Sequence, residues 1–406
     1  MSQTADTQPA LKRDVGLSLF VLYGVGNIIG AGIYVLVGKV AGEAGLLAPF
    51  TFVLAAMIAG LSGLSYGELG ARYPISAGEA VYVYQAFNRR ALSVAVGLLI
   101  ALAGLVSAAT MARGFVGYLH EFFAAPSWLV VIVLLAVLTL IALRGIAESA
   151  RVAAALTLVE AGGLLWVIAV ASPNVVNLGA LSLADTIPLT GPAWQGVLGG
   201  AFLAFFAFIG FEDMVNIAEE VKNPQRTIPR GIIFAFIVST VLYVLVTVVA
   251  MATIPPAALA ASEAPLADVY TFATGRPAVL ISLIGLVAVI NGALIQIIMA
   301  SRIFYGMSCN GWLPAFLGKV SQRTHTPVRA TFVAGGLTVV LALVLPLISL
   351  AKITSAMVLG VFVVINLSLL RIKRREAAPP GVRSLPMAVP LIGALASAFI
   401  LVVSVW

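Results

Sequence analysis

Two short glycine-rich runs interrupt long apolar stretches of this sequence, GNIIGAGI at 26–33 and FFAFIGFED at 205–213. Every backbone polar group in a bilayer needs a partner, so such an interruption is tolerated where it lines a cavity and offers N–H and C=O groups to a ligand. Gly26, Gly30 and Gly32 remove side-chain bulk and permit unwinding. The two runs therefore predict binding segments built from backbone groups.

The polarity of these backbone groups predicts a zwitterionic ligand. The helix that follows the first interruption starts with unpaired N–H groups at its positive dipole end, which suits a carboxylate. Those N–H groups belong to Ala31, Gly32 and Ile33. The carbonyls expected to accept from an ammonium group belong to Ile28, Ile29, Phe206, Ala207 and Phe208. An α-amino acid carries both charges, although glycines in membrane helices also serve close packing, and this alternative applies to each run alone.

Glu160 is a carboxylate within the apolar stretch 149–171. A charge at this depth is costly and marks a candidate functional residue. Three roles are open: a proton site, a ligand for a cation such as Na+, and a counter-charge for a cationic substrate. A structural bond to unwound backbone or to a nearby arginine is the alternative. Our hypothesis is that Glu160 carries a coupling proton.

Other polar side chains are candidates for the site or for its frame. Asn291 and Gln296 lie in one apolar stretch, where an amide needs burial, so they either face the ligand or bond across helices. Acidic residues beyond a helix centre more often pair with basic residues at the cytoplasmic face than with a substrate. The residues assigned on this ground to an inner gate or its scaffold are Glu68, Arg72, Glu219 and Glu220.

The elements that position these groups are membrane helices. The chain has 406 residues, of which 61% are hydrophobic and 10% charged, and a mean hydropathy of +1.10. This composition places it in the bilayer. A helix needs about 20 apolar residues to cross the hydrocarbon. The sequence predicts eleven spans, at 16–40, 44–69, 91–118, 126–144, 149–171, 195–218, 230–254, 278–306, 328–348, 350–371 and 386–406.

Basic residues predict the orientation of these spans. With the N-terminus in the cytoplasm, all but four of the 23 Lys and Arg residues fall on the cytoplasmic side. The exceptions are Lys39, Arg113, Arg276 and Lys352. The positive-inside rule then places the N-terminus in the cytoplasm and the C-terminus outside. The expected location is the inner membrane of a cell.

The two interrupted spans are the first and the sixth. An odd offset of five places them in opposite directions, as an inverted repeat of five plus five helices requires. The expected organisation is a cytoplasmic tail at 1–15, a first repeat at 16–171, a second at 195–371 and an additional span at 386–406.

Longer motifs carry a family resemblance. They are GNIIGAGIYVLVG, LSYGELGARYPISAGEAVYVYQAF, FFAFIGFEDMVNIAEEVKNPQRTIPRGI, ASRIFYGMSCNGWLPAFLGKV and HTPVRA. These runs, spread over about 16–330, resemble the amino acid-polyamine-organocation superfamily, and above all its bacterial permeases similar to cationic amino acid transporters. The resemblance implies an all-α LeuT-like fold with discontinuous first and sixth helices, alternating access, and amino acid transport by proton coupling or exchange.

The resemblance also implies which positions bind substrate. The matching segments are Ile29, Gly30, Ala31, Gly32 and Ile33, with Phe206, Ala207, Phe208, Ile209 and Gly210. One position departs from the pattern: similar proteins often carry a lysine nine residues after Arg151, in the place of a sodium ion, whereas this chain has Glu160. Apolar surroundings favour a neutral amino acid, and a cationic amino acid or polyamine is the alternative that gives Glu160 a partner.

Other classes of protein fit less well. An enzyme needs a catalytic constellation, and two histidines and one cysteine supply none, so we expect no enzyme, metal or cofactor beyond a coupling ion. No GxxxxGK[ST] run occurs, and no rings of polar side chains indicate a channel. The expected partners are an amino acid or amine and the bilayer, without nucleic acid or an obligate protein partner. A sensor that binds amino acids without flux stays open.

Overall fold

The computed structural model describes residues 13–76, 78–120, 122, 125–144, 146–180, 191–262, 264–344 and 347–405. Over these ranges the chain is almost entirely helical. The helices are α1 (Leu17–Ala44), α2 (Ala48–Arg72), α3 (Gly78–Phe87), α4 (Arg90–His120), α5 (Ser127–Ala142), α6 (Ile146–Ala171), α7 (Gly191–Phe206), α8 (Pro224–Thr253), α9 (Pro256–Ala261), α10 (Pro265–Thr274), α11 (Val279–Cys309), α12 (Val328–Val344), α13 (Leu347–Arg375) and α14 (Ala388–Val405). Short 3-10 helices cover Gly45–Leu47, Ser172–Ala180, Phe211–Glu220 and Ala315–Gly318.

Eight segments of the described chain are long and apolar enough to cross a membrane. They coincide with eight of the eleven predicted spans. Three shorter apolar helices, α5, α12 and α14, coincide with the other three. The chain is thus a multi-pass helical membrane protein, while the count of eleven crossings stays a prediction.

Three short helices lie where the sequence analysis expected loops. α3 lies between the second and third predicted spans, and α9 and α10 lie within 255–277. They have 10, 6 and 10 residues, too few to cross the hydrocarbon, so a search for long apolar runs passes over them. α9 is held against α1, since Lys39 Nζ donates to the carbonyl of Ala260 at 2.7 Å.

α1 and α11 lie at the centre of the helix assembly. α1 contacts α6, α7, α8 and α11, and 78% of the apolar window of α11 is buried inside the protein. Close approach is possible because small residues face neighbouring backbones, the usual basis of helix packing in lipid. A Cβ added at Gly67 of α2, for example, would lie 3.3 Å from the Cα of Pro229 in α8. Large apolar side chains such as Leu158 and Leu165 of α6 point outward.

Candidate substrate site at two helix breaks

The first break lies in the middle of α1. Gly30 has φ 29° and ψ −151°, a non-helical conformation that separates two helical halves. Side chains of L-residues rarely accept a positive φ, so glycine is required here for conformational reasons. Ala31, Gly32 and Ile33 follow this residue at the start of the second half, and the side chain of Ala31 lies outside the described part.

The second break follows α7. The α-helix ends at Phe206, residues 207–210 form turns, and a 3-10 helix runs over Phe211–Glu220. Gly210 has φ 126°, again a conformation that favours glycine. Its N–H donates to Glu212 Oε2 at 2.8 Å, so the acidic side chain caps the break from two residues further on.

The two breaks touch each other in an antiparallel arrangement. A Cβ added at Gly32 would lie 3.2 Å from the Cα of Ala207. One added at Gly210 would lie 2.7 Å from the carbonyl oxygen of Asn27. Later residues of α1 therefore meet earlier residues of the second break. The predicted binding segments are brought together as one feature of the structure.

Apolar side chains enclose this junction. Ile28, Ile29, Ile33, Ala207 and Phe208 are buried, whereas Phe206 and Ile209 are partly exposed. The ring of Phe208 stacks on Phe236 of α8 with centroids 5.4 Å apart. Met111 of α4 approaches Gly30, its Cε lying 3.7 Å from a Cβ added there. Apolar side chains therefore line much of both breaks.

Tyr243 of α8 joins the two breaks, a role that the sequence analysis missed. Its hydroxyl lies 2.5 Å from the carbonyl oxygen of Ile28 and 2.9 Å from that of Ala207, and donates to these two acceptors. Both carbonyls were expected to accept from a substrate ammonium, so Tyr243 competes for that role. No local pattern indicates this role, because a tyrosine in an apolar helix usually only packs in the core.

Glu160 lies on α6, and its backbone carbonyl accepts from the hydroxyl of Tyr34, in the second half of α1, at 2.8 Å. Glu160 is fully buried, and no described residue hydrogen-bonds to either carboxylate oxygen. Its polar neighbour is Asn291 of α11, whose Oδ1 is also unbonded within the described chain and whose Nδ2 donates to Thr157 Oγ1 at 3.1 Å. Gly26 of α1 packs against the same amide, 2.6 Å from an added Cβ. Three buried oxygen acceptors are thus available for a proton or a cation.

A second polar junction links the two breaks to α11. Asn27 Nδ2 donates to the carbonyl of Gly210 and to Asp213 Oδ2. Gln296 Nε2 donates to the same Oδ2 at 2.6 Å and to Asn27 Oδ1 at 3.2 Å. Gln296 and Asn291 thus both bond across helices, and whether they also face a ligand stays a prediction. Asn27 and Asp213 were not among the predicted site residues, although Asn27 is the polar residue of its glycine-rich run.

The predicted gate residues beyond the second break bond to three elements. Glu220 Oε1 forms a fully buried ion pair with Arg302 of α11 at 3.0 Å. Glu219 Oε1 accepts from the N–H of Ser76 at 2.9 Å. Val15, just before α1, bridges to Val221. The start of α1, the α2–α3 connection and α11 therefore meet at the end of the 3-10 helix.

Glu68 and Arg72 belong to a separate cluster. Arg72 donates to Glu68 Oε1 at 2.7 Å, and Lys373 of α13 donates to the same oxygen at 2.9 Å. The N–H of Leu385, ahead of α14, donates to Glu68 Oε2 at 2.8 Å. This cluster ties α2 to α13 and to the segment ahead of α14, and no hydrogen bond among the described residues joins it to either break.

Two relatives with known names cover most of this chain. The branched-chain amino acid permease BcaP of Bacillus subtilis (strain 168) is 30% identical over 97% of this chain and 88% of its own length. The vacuolar cationic amino acid transporter 4 of Arabidopsis thaliana is 31% identical over 89% of this chain. This chain spans 63% of the plant protein, a little under two thirds.

The fold is shared with a solved transporter. A Na+-coupled sialic acid symporter in a substrate-bound outward-open state superposes with a TM-score of 0.63 and 14% sequence identity, covering 96% of this chain and 89% of that chain. The expected all-helical, LeuT-like fold is thereby confirmed. The resemblance to amino acid-polyamine-organocation permeases is confirmed by the family model and by the two relatives. With a match to the family model of amino acid permeases over residues 16–406, this chain belongs to the amino acid permease family and is a membrane transporter, not an enzyme.

Proposed function

We propose that this protein is a secondary active amino acid transporter that works by alternating access and prefers neutral amino acids. The observation that carries the proposal is the direct contact of the two breaks, at Gly32–Ala207 and Asn27–Gly210, within apolar surroundings. Helix halves that start and end at such breaks present N–H groups to a carboxylate and carbonyls to an ammonium group. The binding segments are Ile28–Ile33 and Phe206–Gly210.

The side-chain preference follows from what surrounds the breaks. Phe208, Phe236 and Met111 offer apolar contact to an uncharged side chain, and the name of the Bacillus relative refers to branched-chain amino acids. A cationic amino acid or polyamine is the second candidate. It is favoured by the unbonded carboxylate of Glu160 and by the names of the plant relatives.

Glu160 is the proposed proton carrier. An ionised carboxylate that is fully buried without a hydrogen bond is strongly unfavourable, so the site favours either a bound proton or a bound cation. Tyr243, which bonds the carbonyls of both breaks, lies within electrostatic range of Glu160. A change of charge at Glu160 therefore acts on the binding segments through Tyr243. Na+ in place of the proton is the alternative.

The proposed orientation has a direct test in the native chain. Cys309, at the end of α11, is exposed and is the single cysteine of the sequence. The positive-inside rule places this end in the cytoplasm of a protein in the inner membrane, with the N-terminus also inside. A membrane-impermeant maleimide should label Cys309 in inside-out vesicles and leave it unlabelled in right-side-out vesicles. The opposite pattern would invert the orientation.

Uptake into proteoliposomes tests the function itself. Radiolabelled leucine, alanine, arginine, lysine and putrescine are offered with and without an inward pH gradient, a sodium gradient or internal amino acid. We expect saturable uptake of neutral amino acids that the pH gradient or internal substrate stimulates. Uptake restricted to arginine and lysine would establish the cationic alternative, and uptake of putrescine alone would refute amino acid transport. Binding without any uptake would identify a sensor.

A further inference from the structure

The search for groups that the proposed mechanism leaves unused leads to Asp213. Asp213 lies three residues after Gly210, the last residue of the second break, and is 2% exposed. Asn27 of α1 and Gln296 of α11 donate to the same oxygen, Oδ2, and Gln296 also donates to Asn27. Three elements, α1, the segment after the second break and α11, are thus joined at one oxygen atom.

The donors that surround Asp213 match its ionised form. Both contacts to Oδ2 come from amide N–H groups, and a carboxylate is an acceptor at both oxygens. Hydrogen bonds to an ionised acceptor are roughly twice as strong as those to a neutral one. Protonation of Asp213 therefore weakens two bonds at once, and the two bonds lead to different helices.

No lysine or arginine is available to hold that charge permanently. Among the described residues no ion pair involves Asp213, and Arg302 is already paired with Glu220. The ionisable side chains in electrostatic range of Asp213 come from four elements and are Tyr23 of α1, Tyr66 of α2, Glu79 of α3 and Glu212. Among the described residues no cation pairs with these three carboxyl groups, Glu79, Glu212 and Asp213, and they repel one another when all are ionised.

The junction lies on one side of both breaks. Asn27 precedes the break at Gly30, and Asp213 follows the break at 207–210. In the proposed orientation both lie in the cytoplasmic half of the protein. Asn27 also donates to the carbonyl of Gly210, so the junction is continuous with the binding segments.

We propose that Asp213, Asn27 and Gln296 form a charge-dependent latch: ionised Asp213 holds the cytoplasmic halves of α1 and of the second broken helix against α11, and protonation releases them. The latch gives the protein a proton-sensitive group distinct from Glu160. This inference rests on alternating access as proposed above, because a latch matters only where the cytoplasmic side opens.

Opening of the cytoplasmic side is measured at Ala300. This residue lies four positions after Gln296, on the same face of α11 one turn nearer the cytoplasm, and is fully buried. In a Cys309→Ser background, Ala300→Cys is labelled by an impermeant thiol reagent from the cytoplasmic side without substrate. Each rate is divided by the rate of the unfolded protein at the same pH, because thiol reactivity itself changes with pH.

Labelling should distinguish three forms of the protein. With Asp213 intact, we expect the normalised rate to rise about tenfold from pH 8 to pH 5.5, equivalent to ~1.4 kcal/mol. Asp213→Asn retains an oxygen acceptor but no charge, so it should be labelled fast at both values. Gln296→Leu removes one donor and should be labelled faster than the parent at pH 8, which provides a second variant should Asp213→Asn fold poorly.

The latch is refuted if Asp213→Asn keeps the parent's pH dependence, or if both variants are labelled as slowly as the parent at pH 8. Such a result leaves the proposed function untouched, because amino acid uptake is measured separately. Conversely, pH-dependent labelling in a protein that takes up no amino acid would support the latch and overturn the function.

Discussion

Glu160 and Asp213 are both buried carboxylates near α1, yet the hydrogen-bond donors around them differ. Gly26 packs against Thr157 and Asn291, which lie near Glu160. The next residue, Asn27, donates a hydrogen bond to Asp213. The Glu160 side chain has no hydrogen bond from the described residues, whereas one oxygen of Asp213 receives two. Hydrogen bonds from amide N–H groups are stronger to an ionised carboxylate than to a neutral one, and only Asp213 receives such bonds within the described chain. The two carboxylates near α1 thus differ in their hydrogen-bond partners.

The largest effect is expected from Gly210→Ala, which disturbs the contact between the second break and Asn27, the partner of Asp213. The new Cβ combines a strained φ of 126° with an approach of 2.7 Å to the carbonyl oxygen of Asn27. Strain and overlap together cost on the order of 3 kcal/mol. Uptake should fall by about 100-fold. Gly162→Ala, next to Glu160 and with nothing within 4 Å of its added Cβ, is the matched control and should transport normally.

Glu160→Gln acts on the other side of the comparison. The amide keeps the shape of the side chain but carries no titratable proton, so proton-driven uptake should fall by about tenfold or more and lose its pH dependence. Initial rates between pH 5.5 and pH 8 in proteoliposomes measure this effect. An unchanged pH dependence would contradict Glu160 as the coupling group. Restoration of the rate by sodium would instead indicate a cation site.

Tyr243→Phe tests whether the two breaks must be joined to each other. Loss of the hydroxyl leaves the carbonyls of Ile28 and Ala207 without this donor, a cost of about 1 kcal/mol. We expect roughly a fivefold loss of uptake, with the pH dependence retained because both carboxylates remain. A variant with higher apparent affinity for substrate would show instead that Tyr243 competes with the ammonium group.

The smallest effect on transport is expected from Glu68→Gln, far from both carboxylates. Arg72 and Lys373 would lose their shared buried partner, so Tm should drop by about 5 °C. The Michaelis constant for the substrate should stay within about twofold, because within the described ranges no hydrogen bond or ion pair joins this cluster to the breaks. Glu376→Gln at an exposed position is the control and should leave Tm unchanged. A large change in uptake would instead support a role of Glu68 in the inner gate.

Several features of the candidate site could be predicted from the sequence. Glycine-rich interruptions in two apolar runs predicted where backbone groups leave the helix, because positive φ at Gly30 and Gly210 is readily accepted by glycine. Glu160 was found because a carboxylate is conspicuous among apolar residues. Tyr243 was missed, since no local pattern separates a tyrosine that bonds two carbonyls from one that only packs. The partner of Glu220 was also missed, because Arg302 lies 82 positions away.

The sequence by itself determined the membrane environment, the positions of the long helices and the two breaks, because hydrophobicity, length and glycine act locally. Only the tertiary structure decided which polar groups meet. Gln296 and Asn291 lie on the same helix five positions apart, yet one bonds Asp213 and the other Thr157. Residues at that spacing project from different sides of a helix, so their partners depend on which helices pack there. That arrangement leaves the Glu160 side chain without a hydrogen-bond donor among the described residues and supplies Asp213 with two.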